Sequence, residues 1–312
     1  MRLFRDAHYD FLSKRKTAYV VTIVALVVGL FFLLVHRGLR YGVEFTGGTL
    51  FQVEFVDNTT VADLRDAIAG AGMESAEIQR FGESTEFLIR VATFSESGDE
   101  RVSQEVASAL DAAYGEGAWQ IVRTEAVGPK VGSELKRKAL IAILLSFALT
   151  LVYLSFRFEW RFGVAAVAAT AHDLLLTLGF LSVVDLEVTL ATVAAILTIV
   201  GYSLNDTIVV FDRIRENLKK RRKDRYYDIV NDSINETLPR TILTSGTTLA
   251  TLLALFLFGG AVIRPFALIL ILGVVIGTYS SIFVASPVLI EIEGWTKKRE
   301  RQRSDTAPAK AG

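Results

Sequence analysis

Six stretches of this chain are apolar enough and long enough to cross a lipid bilayer, and a water-soluble fold has no place for that many. They are Thr17–Val35, Ala139–Phe156, Phe162–Val184, Val188–Phe211, Thr241–Phe258 and Phe266–Ile290. About 20 helical residues cover a hydrocarbon core roughly 30 Å thick. Each run is expected to be a helix, because in lipid the backbone must satisfy its own hydrogen bonds. Composition agrees, with 51% hydrophobic and 22% charged residues. The first run follows a basic cluster, as a signal peptide would. Its apolar core is too long for one and no small-residue cleavage site follows, so it reads as a retained anchor.

Basic residues in the short flanks set the expected orientation. Lys14, Arg15 and Lys16 precede the first run, and Arg157 and Arg161 separate the second from the third. A cluster from Lys219 to Arg225 separates the fourth from the fifth, and another from Lys297 to Arg303 follows the sixth. All four clusters share one side if both termini are cytoplasmic. The opposite loops carry Arg264 as their one basic residue.

Residues 38–137 carry charge every few positions and are expected to fold outside the bilayer. Thr49–Val56 alternates as a half-buried strand. Thr59–Ala71 reads as a helix with a Thr cap, and Ala76–Phe81 and Glu86–Thr93 as strands joined by a Gly-Glu-Ser-Thr turn. A helix from Ser97 to Tyr114 and a strand from Trp119 to Val127 complete the order. Strand, helix, strand, strand, helix, strand is the ferredoxin-like α+β arrangement, which hosts many functions. The expected organisation is therefore residues 1–37 as N-terminus and first span, 38–137 as extracytoplasmic domain and 138–292 as the remaining spans. A basic cytoplasmic loop is expected near 212–240, and residues 293–312 read as a disordered basic tail.

Several chemistries find no support. Basic and acidic side chains balance at 34 each, so net charge points to no partner. No cysteine is present, and His8, His36 and His172 are the only histidines. A thiolate or histidine metal site is not expected, nor any cofactor. No phosphate-binding Gly-x-x-x-x-Gly-Lys loop occurs. The acidic excess of the extramembrane domain argues against nucleic acid as a partner. That domain also lacks a nucleophile, base and metal constellation, so an enzyme is not the expected reading.

The chemistry is expected inside the membrane, where ionisable groups are costly and usually face a bundle interior or a wet path. Asp173 sits beside His172 in the middle of the third span, with Thr170 and Thr177 on the same face. It is either a polar lock between helices or a group that handles protons. Asp206 lies in the fourth span beside Asn205, with Tyr202 and Thr198 nearby. Its carboxylate either reaches the interface or serves a proton path. Arg240 opens the fifth span, followed by Thr244, Thr247 and Thr251 on one stripe and Thr241, Ser245 and Thr248 on the next. Arg240 can be a snorkelling anchor, but a half-polar helix is not expected to face lipid along its length. If the fourth and fifth spans pack side by side, Asp206 and Arg240 face each other. On the sixth span, Gly273, Gly277 and Ser281 form a small-residue stripe suited to close helix packing.

Five blocks carry a resemblance. They are Tyr41–Thr49 (YGVEFTGGT), Val127–Leu135 (VGPKVGSEL), Ala171–Asp173 (AHD), Leu197–Leu218 around Asn205-Asp206-Thr207, and Ser233–Gly260. In order and spacing they closely resemble the SecF members of the SecD/SecF family, over nearly the whole chain. The resemblance implies an RND-like membrane subunit, without enzymatic activity, paired with SecD beside the SecY-SecE-SecG channel. It implies use of the proton-motive force to help preproteins cross the cytoplasmic membrane. Asp206 and Arg240 match the family's proton-path residues, and Gly42, Glu44, Phe45, Gly47 and Gly48 match its first motif. Glu44 departs from the family's usual Asp there. A small-molecule or lipid exporter and a passive scaffold are the rival readings. The half-polar fifth helix calls for a second subunit to cover it.

Overall fold

The computed structural model describes residues 8–36, 38–82, 84–92 and 100–306. Ser97, Glu83 of the expected turn and the tail beyond Thr306 lie outside the described residues. The chain enters through helix α1 (Arg15–Phe31), which ends in a π-helical turn, Phe32–His36. It then forms β1 (Arg40–Tyr41), α2 (Val43–Thr46), β2 (Gly48–Phe55), α3 (Val61–Gly70), β3 (Glu77–Arg80), β4 (Glu86–Val91), α4 (Glu100–Tyr114) and β5 (Trp119–Val127). The rest is helical except for β6 (Glu187–Val188). The helices are α5 (Pro129–Arg157), α6 (Trp160–Val183), α7 (Leu190–Lys220), α8 (Tyr226–Phe258), α9 (Gly260–Ser280) and α10 (Ser286–Thr306), with a second π-helical turn at Ser281–Ala285.

Among the described residues six helices are long and apolar enough to cross a membrane: Leu12–His36, Pro129–Leu154, Trp160–Val183, Leu190–Lys220, Tyr226–Phe258 and Gly260–Arg299. The fourth and fifth outrun the apolar stretches of the sequence because their polar ends still bury one face. The region expected as a basic loop near 212–240 is mostly helix, broken only between Lys220 and Tyr226. Ile229, Val230, Ile234 and Leu238 of α8 pack there with Phe211 and Ile214 of α7. Ion pairs Arg157–Asp212 and Arg221–Asp232, each 2.7 Å, brace the same end. The expected disordered tail from 293 is instead α10, which continues as helix to Thr306.

Between the first two spans lies a four-stranded antiparallel sheet in the order β3-β4-β2-β5. Alternation along the strands sends Phe51, Val53, Phe55, Phe87 and Ile89 to one face. There they form a core with Leu64 and Ile68 of α3 and with Val106 and Leu110 of α4. The Thr60 hydroxyl accepts from the Asp63 N–H at 3.2 Å and caps α3, a bond worth about 1 kcal/mol. The other face of the sheet looks onto the α6–α7 and α8–α9 corners. Leu50 and Leu88 line a cavity of about 290 Å³ there, with Phe266 opposite.

Candidate functional site

The first motif builds the joint between domain and bundle. Gly42 N–H donates to Val188 O at 2.8 Å, beside the parallel pairing of β1 with β6. Gly47 and Gly48 have φ of 77° and 114°, which disfavours any side chain. Space is closed as well, since a Cβ on Gly47 would sit 2.8 Å from Pro129 Cα. One on Gly132 would come within 3.1 Å of Gly47 N. The first two sequence blocks are therefore folded against each other. Phe45 is buried, while Glu44 is half-buried and lines the cavity under the sheet.

Charged residues complete this joint. Arg90, on β4, pairs with Glu187 of β6 and, at 3.1 Å, with Glu77. Arg40 donates to Asp185 at 2.9 Å and to Gln79 at 2.7 Å. Burial pushes the Glu187 carboxyl above the usual carboxylate range, an effect opposed by Arg90 and Arg40. The Thr189 hydroxyl caps α7, and Thr192 bonds to Glu187 O at 3.0 Å. The sheet is thereby tied to the first turn of α7.

Inside the bundle α7 is central, packed against α6, α8 and α9. Its approach to α9 depends on glycine: a Cβ on Gly277 would lie 3.0 Å from Ser203 Cα. Two polar centres meet along α7. In the first, His172 Nδ1 is 2.7 Å from Asp173 Oδ1, and the Ser203 hydroxyl donates to Asp173 Oδ2. In the second, Ser245 of α8 donates to Asp206 Oδ2 at 3.3 Å and lies 2.8 Å from the Thr278 hydroxyl of α9. The Tyr202 hydroxyl donates to Ser245 at 3.4 Å. Asp173 and Asp206 are 1% and 3% exposed, so both carboxyls are inside the protein. Ser203 and Asp206 stand one turn apart on α7, which places the two centres side by side. The His172 Nε2 is buried without a hydrogen-bond partner, and its ring stacks on Tyr279.

Other expected site residues fall elsewhere. Arg240 is exposed and lines a cavity of about 310 Å³ with Asp212 and Glu236. Among the described residues it forms no ion pair with Asp206; the hydrogen bond to that carboxylate comes from Ser245. Asn205 is exposed and turned away from its neighbour's site. Thr244 and Thr248 are half-buried, but Thr247 and Thr251 are exposed. Their hydroxyls bond to carbonyls of their own helix, at 2.9 and 3.1 Å. The described residues hold no group of three metal-ligating His, Asp or Glu side chains. Ser203 and Thr278 escape a reading by residue type, because a lone Ser or Thr in a span carries little signal. The signals that could have found them are the spacing of Ser203 from Asp206 and the place of Thr278 beside the Gly273/Gly277 stripe.

Fold and interior together define a multi-pass helical membrane protein with carboxylates held inside its bundle. Residues 106–295 match the family model for the protein export membrane protein SecD/SecF, C-terminal, and residues 32–58 match the SecD/SecF GG motif. Protein translocase subunit SecF of Gemmatimonas aurantiaca is 48% identical, over all of this chain and 94% of that protein. The Escherichia coli O157:H7 subunit of the same name is 39% identical over 91% of this chain and 88% of its own. The crystal structure of SecDF, a translocon-associated membrane protein from Thermus thermophilus, superposes with a TM-score of 0.84 at 38% identity. The match covers 94% of this chain but only 40% of that longer one. SecDF in its super-membrane-facing form gives a TM-score of 0.70. The chain belongs to the SecD/SecF family, among its SecF members.

Proposed function

We propose that this protein is an accessory, non-enzymatic subunit of the Sec protein-export machinery, working with SecD to draw on the proton-motive force. The supporting observation is Asp206, buried at the contact of three helices with a hydroxyl from a second helix on its carboxylate. An acid so placed can hold or release a proton as the helices shift. One charge moving through 100 mV yields about 2.3 kcal/mol, enough to bias a conformational cycle. Asp206 is the proton-binding group, and Arg240 is a nearby positive charge that closes on the ionised form in another state of the cycle. His172, Asp173 and the hydroxyls of Thr244, Thr247 and Thr248 shape the path.

In this reading the protein lies in the inner membrane with both termini in the cytoplasm, since the basic clusters gather at that end. The sheet domain stands outside. Its strand order and two helices fit a ferredoxin-like domain. SecD covers the exposed hydroxyl face of α8, and the assembly works beside the SecY-SecE-SecG channel on a preprotein. The joint at Arg90 and Glu187 carries motion from α7 to the domain.

The test is Asp206→Asn as the sole copy in cells, with membrane levels checked, following an unprocessed secreted precursor. Accumulation of precursor at normal protein levels is the expected result. Normal export would reduce Asp206 to a structural polar residue and remove the proton-coupled reading.

A further inference from the structure

At the end of the bundle that carries the termini, a cavity of about 430 Å³ opens between α6, α7, α8 and α10. Its floor is apolar, from Phe162, Leu218 and Ile229. Its rim has a basic excess, six cations against the acids Glu159, Asp224 and Glu293, and the cations divide into two groups. Arg161, Arg221 and Lys297 are already matched with acids: Arg161 and Lys297 with Glu293, and Arg221 with Asp224 and Asp232. Arg215, Lys219 and Arg222 face the same space with no acidic partner among the described contacts; Arg215 donates to Arg157 O at 3.3 Å. Like charges held around one concave space repel each other, so an anion entering there gains without having to break an ion pair.

The depth of the cavity says which anion. Trp160 and Trp295 are 57% and 60% exposed, and each lies within two residues of a lining residue, Arg161 and Glu293 respectively. Exposed tryptophans at the ends of spans mark the headgroup level of a bilayer. Phe156, 89% exposed at the end of α5 beside Arg157, needs acyl chains around it. A basic recess between helices at that level fits a phospholipid headgroup, with its chains running down the bundle wall.

We propose that this cavity is a binding site for the headgroup of an anionic phospholipid. Arg215, Lys219 and Arg222 take the phosphate, and the apolar floor takes the glycerol end. The site is separate from the buried carboxylates and does not depend on their role.

Native mass spectrometry of the full chain, with phosphatidylglycerol or phosphatidylethanolamine added, tests this directly. Phosphatidylglycerol should remain bound under collisional activation that strips phosphatidylethanolamine. Lys219→Gln combined with Arg222→Gln should lower its retention roughly thirtyfold, given the typical effect of each basic residue near an anionic surface. Lys220→Gln combined with Lys223→Gln removes the same charge outside the cavity and should leave retention unchanged. Equal loss in both pairs would mean diffuse surface attraction, and absence of any preference for phosphatidylglycerol would mean no site. Displacement by millimolar inorganic phosphate would mark a pocket for free anions instead. Any of these three results overturns the proposal.

Discussion

Arg90 and Glu187 meet across the joint between the sheet domain and the bundle, one from the C-terminal end of β4 and the other from β6, just before α7. The pair is unequal. Arg90 has a second acid, Glu77, at 3.1 Å, whereas Glu187 depends on Arg90 with weaker help from Arg40. Removing Arg90 leaves a half-buried carboxylate near Glu44 and Glu77 without its main partner, so Arg90→Gln should destabilise by about 1–3 kcal/mol. Glu187→Gln leaves Arg90 paired and should be much milder. Thermal melting of the two purified variants checks the order. A larger loss in Glu187→Gln would show that Arg90 needs that partner more than Glu77.

The same carboxyl gives a pH dependence of known sign. Burial raises Glu187 above its ordinary value of 4.5, so folding favours the protonated form. Its stabilising contribution is complete below that ordinary value and fades as pH rises through the higher folded one. The melting point of the unaltered chain, minus that of Glu187→Gln, should therefore fall as pH rises from about 4.5. A difference that grows over this range would mean the ion pair with Arg90 outweighs burial.

Two glycines differ in backbone region and in the space around them. Gly47 and Gly72 have φ of 77° and 81°, yet only at Gly47 would a Cβ meet anything within 4 Å. Left-handed backbone alone costs an alanine about 1–2 kcal/mol. Gly72→Ala should lose about that much. At Gly47, ψ is 169°, a backbone region essentially restricted to glycine, and Pro129 closes the space as well, so Gly47→Ala should lose clearly more, seen as lower membrane levels and faster limited proteolysis. Equal losses would mean that both the backbone and the contact of the first motif with α5 relax without cost.

Much of this architecture could be read from the residues, and the reasons are specific. The apolar runs place the spans because lipid leaves a helix as the one local solution. Strand alternation and the Thr cap place the domain's elements, and Trp119–Val127 is recovered with its bounds. Bounds failed where tertiary burial rescues a polar helix, as at Ile229 and Ile234, since nothing local distinguishes such an end from a loop. Within the site, residue type picks out Asp173 and Asp206 because a carboxylate in a span is conspicuous. It does not give their partners. Ser245 and Thr278 come from other helices, and the pairing depends on how closely Gly277 lets α9 approach.

Ser245 and Arg240 should differ in how they support Asp206. Ser245 donates a hydrogen bond at 3.3 Å, and a single such bond contributes about 1 kcal/mol. Ser245→Ala should slow export several-fold at most, well short of Asp206→Asn. Arg240 makes no described contact with Asp206, so its role in the proposed cycle rests on charge. Arg240→Lys should then retain most export and Arg240→Gln little, as read by precursor accumulation. Equal failure of both would point to the fork geometry of the guanidinium and to a close Asp206–Arg240 contact in another state.

The exposed face of α8 makes the last prediction. Thr247 and Thr251 satisfy their hydroxyls within their own helix, so they need no partner for hydrogen bonding. What they offer is a small side chain that lets another helix come close. Thr247→Trp adds bulk where the chain itself has nothing packed, and its own stability should move by no more than about 0.5 kcal/mol. Co-purification with SecD should fall sharply, because the ring stands where the second helix must lie. If Thr247→Trp retains SecD while melting at an unchanged temperature, that face looks at lipid, and the partner sits on another side of the bundle.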